Sequence, residues 1–165
     1  MTTKEKVSVL RLTLQNVTVG FLAGYQGGQN ILSFSSEFRD NDRRPTLSLV
    51  THPDFPGARQ RLTQRWVTRQ RLHPVLSNML PEGAQREDLA KRLKVHIDNE
   101  FPLMSYLGGD LPGALIASPL DPADIPGYAL EHRLGGQLFL RADCAFSSNS
   151  SKPDMSHSLW RLCPD

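Results

Sequence analysis

The hydrophobic period of this chain changes partway along, and that change limits the folds open to it. Val7 to Leu14 places Ser8, Leu10, Leu12 and Leu14 on one side and Val7, Val9, Arg11 and Thr13 on the other, the period-two pattern of a strand. From Val75 the spacing becomes helical, with Leu76, Met79 and Leu80 three and four residues apart. Each period buries one face of only one kind of element, so a run of strands followed by helices predicts an α+β domain.

Gln15-Asn16 offers a turn into a second strand at 17–23, and Gly24, Gly27 and Gly28 suit a loop into a third at 30–34. The three form an antiparallel meander. Ser35 to Arg44 is polar around one apolar residue, Phe38, and Pro45 then leads into Thr46 to Val50, whose Leu47 and Leu49 read as the buried face of a fourth strand. His52 to Gln70 contains Pro53 and Pro56 and reads as a long loop or a loop passing into a short helix.

Pro81 interrupts the helical pattern begun at Val75, and Pro81 and Glu82 suit the first turn of the next helix. That helix spans about 85–94, with Leu89 and Leu93 on one face and Lys91, Arg92 and Lys94 at its end. Asp98 or Asn99 caps a third helix through Leu107, which offers Phe101, Met104, Tyr106 and Leu107 for burial and ends on a left-handed Gly108-Gly109. Ala114 to Ala117 returns to the sheet. The expected architecture is a small, mainly antiparallel sheet or partly closed barrel of about five strands with two to three helices. It occupies residues 7–118, followed by a Pro-, Gly- and Ser-rich, weakly ordered extension over 119–165.

The 165 residues suit one ordinary domain, and the formal charge of +2 indicates no class of partner by itself. No apolar run reaches the roughly 18 residues of a membrane helix, and the opening residues carry no signal-peptide core, so the expected compartment is the cytoplasm. Cys144 and Cys163 lack the spacing of a zinc site or a disulfide framework.

Catalytic motifs are sparse. Gly108-Gly109-Asp110-Leu111-Pro112-Gly113 lacks a phosphate-loop lysine and follows a helix, where a dinucleotide fingerprint would follow a strand. His52, His73, His96, His132 and His157 match no ligand spacing, and Ser105 stands in no nucleophile motif. Glu82, Glu87 and Asp88 could form an acid/base pair only if one were desolvated; beside a helix start they more simply complement its dipole. No catalytic, cofactor or metal residue is therefore expected. The sharpest charged feature is Arg59 to Arg71, with Arg59, Arg61, Arg65, Arg69 and Arg71 around Trp66. It fits a solvated helix face, a protein contact, or phosphate binding with Trp66 stacked on a base.

Spaced motifs resemble a known family. They are Asn16-Val17-Thr18-Val19-Gly20, Pro45-Thr46-Leu47-Ser48-Leu49, Leu76-Ser77-Asn78-Met79-Leu80-Pro81-Glu82-Gly83, Arg92, Phe101-Pro102-Leu103-Met104-Ser105-Tyr106-Leu107-Gly108-Gly109-Asp110 and Gly113-Ala114-Leu115. In this order they resemble the N-terminal subdomain of HipA-type serine/threonine kinase toxins, from Val9 to about Ser118. The family's nucleotide loop and catalytic and metal-binding aspartates lie beyond this region and have no counterpart here. The resemblance implies a non-catalytic, stand-alone protein-binding subunit of a toxin–antitoxin system, docking on a HipA-like kinase core or a HipB-like DNA-binding antitoxin. Arg65, Trp66, Pro81 and Glu82 are the expected partner contacts. The alternatives are a small nucleic-acid-binding protein using Arg59 to Arg71 and a truncated remnant of a longer kinase.

Overall fold

The computed structural model describes residues 7–130 together with the backbone of 132–134 and 137–139. Three strands, β1 (Val7–Leu14), β2 (Val17–Tyr25) and β3 (Gln29–Phe34), form the expected meander. Gln15 and Asn16 join the first two at positive φ, as a tight two-residue hairpin loop requires. The sheet is completed by β4 (Trp66–Arg69) beside β3 and β5 (Leu115–Pro119) beside β1, in the order β4-β3-β2-β1-β5, every neighbour antiparallel. Its outer strands do not pair, so the sheet is open and the barrel alternative falls away. Residues His132–Leu134 and Gln137–Phe139 pair as a separate two-stranded hairpin, β6 and β7. Cys144, Cys163 and the serine-rich end of the expected extension lie outside the described residues.

Both faces of the sheet are covered. Leu10, Leu12 and Leu14 enter the main core with Leu22, Leu32 and the helices, whereas Val9, Phe21, Ala23 and Ile31 enter a second cluster. A bulge lies between Leu12, opposite Gly20, and Thr13, opposite Thr18. Val19 is the extra residue, so Val19 and Leu22 reach one core despite opposite parity. On the second face, helix α6 (Gly127–Leu130) buries Ala129, the Tyr25 hydroxyl donates to the Leu130 carbonyl at 2.9 Å, and the Leu120 N–H donates to the Val9 carbonyl at 2.9 Å.

Among the described residues there are six short α-helices rather than two or three. Ser35 caps α1 (Ser36–Arg39), accepting from the Phe38 N–H, and Phe38, the one apolar residue of the segment, is wholly buried. The fourth strand expected over Thr46 to Val50 does not form. Leu47 packs on the core but Leu49 is 73% exposed, so the two share no buried face. Arg44, itself buried, donates Nε–H to the Thr51 carbonyl at 2.9 Å and Nη1–H to the Asn41 carbonyl at 3.1 Å. Ser48 and Thr51 close a reciprocal capping box around a 3-10 turn at Leu49–Thr51. These bonds coil the segment against its local strand preference.

The arginine-rich stretch supplies the missing strand. Helix α2 (Ala58–Thr63) ends before β4 begins, so Arg61, Arg65 and Arg69 do not share one helix face. Helices α3 (Pro74–Ser77), α4 (Gly83–Leu93) and α5 (Glu100–Leu107) follow. Pro81 precedes α4 and Glu82 is its N-cap without a capping bond, so neither lies in the first turn; Lys91 and Arg92 fall in the last turn as expected. Lys94 ends α4 in the left-handed region at φ 54°. Asn99 holds the cap position of α5 without a side-chain cap bond. Gly108 is not left-handed, with φ −49°. It is small because α5 abuts β5: a Cβ there would stand 2.0 Å from the Ala117 carbonyl oxygen, and the Gly108 carbonyl accepts the Ala117 N–H at 2.7 Å.

The helices are tied together at Glu100, which is 0% exposed. Its Oε1 accepts from Arg86 Nη2 at 2.6 Å and from the Ser77 hydroxyl at 2.8 Å, and its Oε2 accepts from the Leu72 N–H at 2.6 Å. Arg86 also donates to the Ile97 carbonyl at 3.1 and 3.0 Å. Removing one partner of such a buried pair strands a charge, at a cost of about 3 kcal/mol. Glu100→Ala is expected to lower the unfolding free energy by that order in urea titration. Ser77→Ala, which leaves the ion pair, is expected to cost about 1 kcal/mol.

Candidate docking groove

The interrupted helical segment that marks the sequence also shapes a depression with an apolar lining. Pro81 stops α3 from running into α4, and Gly83 enters α4 at φ +60°, so the chain turns sharply between them. The turn leaves Met79, Leu80 and Pro81 facing Leu89 of α4 and Tyr106 and Leu107 of α5 across a groove of about 510 Å³. Leu80 and Leu89 are buried at its floor, whereas Tyr106 is 63% exposed. Tyr106 is therefore not core, as the apolar pattern of α5 suggested, but a large amphipathic ring at the rim. Asp88 and Arg92, an i,i+4 ion pair at 2.8 Å, line the groove with Asp110. Such a surface, apolar within and polar around, is what a protein partner covers.

The four expected contact residues divide between two places. Pro81 lines this groove, and Glu82 follows it as an exposed residue outside the lining. Arg65 and Trp66 belong to the β4 edge. Trp66 is half-buried, its ring centroid 4.7 Å from that of His73, and its indole N–H donates to the Arg61 carbonyl at 3.3 Å. Trp66 is thereby held against the domain and presents only part of its ring for stacking on a base. Arg65 is exposed beside a smaller cavity of about 230 Å³ that Arg39 and Tyr128 also line.

The candidate chemical groups remain dispersed. Glu82, Glu87 and Asp88 are all exposed, and Asp88 is neutralised by Arg92, so none has the desolvated setting of a general acid. The buried carboxylate is Glu100, whose oxygens are already committed to Leu72, Ser77 and Arg86. Sequence reasoning passed over Glu100 and Arg86 because each sits among ordinary helix-end charges; only the packing of α4 against α5 joins them. His52 lies 3.8 Å from Asp54 and His96 3.6 Å from Asp98, each a local contact at the surface. Ser105 is exposed on α5.

These features define a small α+β domain, an open antiparallel sheet capped by short helices that present a groove. Residues 10–118 match the family model of the HipA N-terminal domain, and the chain belongs to that family. It is 38% identical over 121 residues to a Sinorhizobium fredii protein named "Putative kinase Y4dM", a match that covers 73% of this chain and 29% of the relative. The chain thus spans less than a third of that relative's length. No described helix is long and apolar enough to cross a membrane.

His73 provides a test of how β4 is seated. Its Nδ1 accepts the Val75 N–H at 3.3 Å as the cap of α3, and burial pushes its pKa below the ordinary 6.5. The folded domain therefore prefers neutral His73, while the unfolded chain takes up the proton as pH falls through 6.5. Stability is fully present above that pH and declines below it. Between about pH 7.5 and 5.5 the melting temperature is expected to fall for the wild type and to fall less for His73→Asn, whose amide can keep the cap without titrating.

Proposed function

We propose that this domain is a non-catalytic docking module of the HipA type, which binds a kinase core through the groove between α3, α4 and α5. The observation that carries the proposal is Tyr106: a large ring left 63% exposed beside Met79, Leu80, Pro81 and Leu107 is an apolar anchor that the described residues leave largely uncovered. The groove draws most of its lining from two motifs, Leu76 to Gly83 and Phe101 to Asp110, that carry the family resemblance, with α4 between them supplying most of the rest of its wall. A surface assembled from family-marking segments suits a role shared across the family. The kinase name of the relative, most of whose length lies beyond the matched part, supports a kinase core as the partner.

In this reading the domain contributes binding and no chemistry, and it acts in a toxin–antitoxin system by holding a kinase core in one state, with a HipB-like antitoxin as a further contact. The dispersed, exposed carboxylates are consistent with that division of labour. Coexpression with a tagged segment of the Sinorhizobium fredii relative beyond the matched region is the direct test. The intact chain is expected to co-purify, and Tyr106→Ala to weaken association roughly tenfold or more, as truncating an interface anchor does. Its melting temperature is expected to stay close to wild type, because an exposed side chain holds little of the fold. Failure of the intact chain to associate, or ATP binding by the isolated chain, would overturn the proposal.

A further inference from the structure

Among the described residues β4 is an open edge of the sheet, and its pairing with β3 fixes which backbone groups face outward. The Gln70 N–H donates to the Gly28 carbonyl at 2.6 Å, and Asn30 lies opposite Thr68 and Leu32 opposite Trp66. In antiparallel pairing the residues that bond to the neighbouring strand alternate, so Trp66, Thr68 and Gln70 turn their backbone groups toward β3. Val67 and Arg69 turn theirs outward. The Arg69 carbonyl accepts the Arg71 N–H at 2.7 Å, which leaves the Val67 N–H, the Val67 carbonyl and the Arg69 N–H as the ladder this edge offers. Val67 is 49% exposed.

The charge beside this ladder is positive in excess, although Arg59 pairs with Asp42 at 3.5 Å and Arg39 with Asp40 at 2.9 Å. Arg59 to Arg71 contains five arginines and no acidic residue, and all five are exposed. Arg65, Val67 and Arg69 fall on one face by the period-two alternation of the strand. Two depressions flank β4: Arg65 and Arg39 line one beside its start, and Arg69, Arg71 and His96 line the other at its end. Asp98, 3.0 Å from Arg71, is the single carboxylate lining the second.

We infer that β4 accepts an extended acidic peptide segment as a sixth strand, its backbone on Val67 and Arg69 and its carboxylates drawn to the Arg69 guanidinium and the excess of positive charge around it. Charge makes the edge selective. A second copy of β4 would bring arginine against arginine, so self-pairing is disfavoured, while a strand rich in Glu or Asp gains at every alternate position. A nucleic acid strand would meet the same cations but cannot use the N–H and C=O ladder, and Trp66 is tied down by Arg61 and His73. The extended peptide uses both the ladder and the charge.

The test uses the full chain and synthetic peptides of about eight residues, the length of an ordinary strand. The probes are an alternating Thr-Glu peptide, the same peptide with Pro at alternate positions, its Thr-Lys counterpart, and an oligothymidylate of equal charge. Isothermal titration is expected to show the Thr-Glu peptide binding, with roughly tenfold or greater loss for the Pro and Lys versions and for Arg69→Glu. Hydrogen exchange at the Val67 and Arg69 amides is expected to slow in the complex. Equal binding of the Pro peptide would show attraction without strand addition, and tighter binding of the oligothymidylate would make the edge a nucleic-acid surface; either result, or no binding of the Thr-Glu peptide, overturns the proposal. Tyr106→Ala is expected to leave this binding unchanged, which separates its failure from that of the groove.

Discussion

The buried Glu100 carboxylate is the interaction on which the arrangement of the helices depends. Its side chain joins the Leu72 backbone, α3 through Ser77 and α4 through Arg86, while its own N–H donates to the Gln70 carbonyl at the end of β4. One residue at the start of α5 thus fixes three helices and the edge of the sheet. Burial of an ion pair is weak as net stabilisation, since desolvation offsets much of the attraction. Its effect here is on geometry: only one placement of α3, α4 and α5 satisfies both carboxylate oxygens, and that placement sets the walls of the groove.

Close backbone approach is the second constraint, and it is imposed by missing side chains. A Cβ at Gly24 would fall 2.6 Å from the Phe101 ring, and one at Gly108 would fall 2.0 Å from the Ala117 carbonyl. The two ends of α5 therefore rest on the sheet, Phe101 over β2 and Gly108 against β5. With Glu100 fixed at one end and Gly108 at the other, α5 cannot rotate to bury Tyr106 without displacing Leu103 and Met104, both 0% exposed. The exposure of Tyr106 is a consequence of how the helix is pinned at each end.

Elements whose structure depends on their own residues were legible in the sequence. The meander follows from alternation and from turn residues, and α4 follows from its apolar spacing and its terminal cations. Where distant partners decide, local pattern misleads. Leu47 and Leu49 have the spacing of a strand, but the buried Arg44 guanidinium and the Ser48–Thr51 box coil the segment. Arg61, Arg65 and Arg69 stand at helical spacing, yet pairing with β3 makes Trp66 to Arg69 a strand. At the candidate groove, Pro81 was legible through its helix-breaking position, whereas the exposure of Tyr106 was not. Apolar residues surround α5, and spacing alone cannot say which of them is surplus to the core.

The net charge of +2 conceals a segregation that the fold makes physical. The cations of Arg59 to Arg71 run from α2 through β4 and outnumber the carboxylates paired with them, while the groove carries Asp88, Arg92 and Asp110, of which two neutralise each other. Attraction at the strand edge therefore weakens as ionic strength rises, because exposed charges are screened within about 10 Å at ordinary salt. Contact at the groove depends on apolar area, which added salt does not weaken. Because both surfaces are anchored through Glu100, distortion of that node would disturb them together. Changes confined to Tyr106 or to Arg69 would act on one surface and leave the other intact.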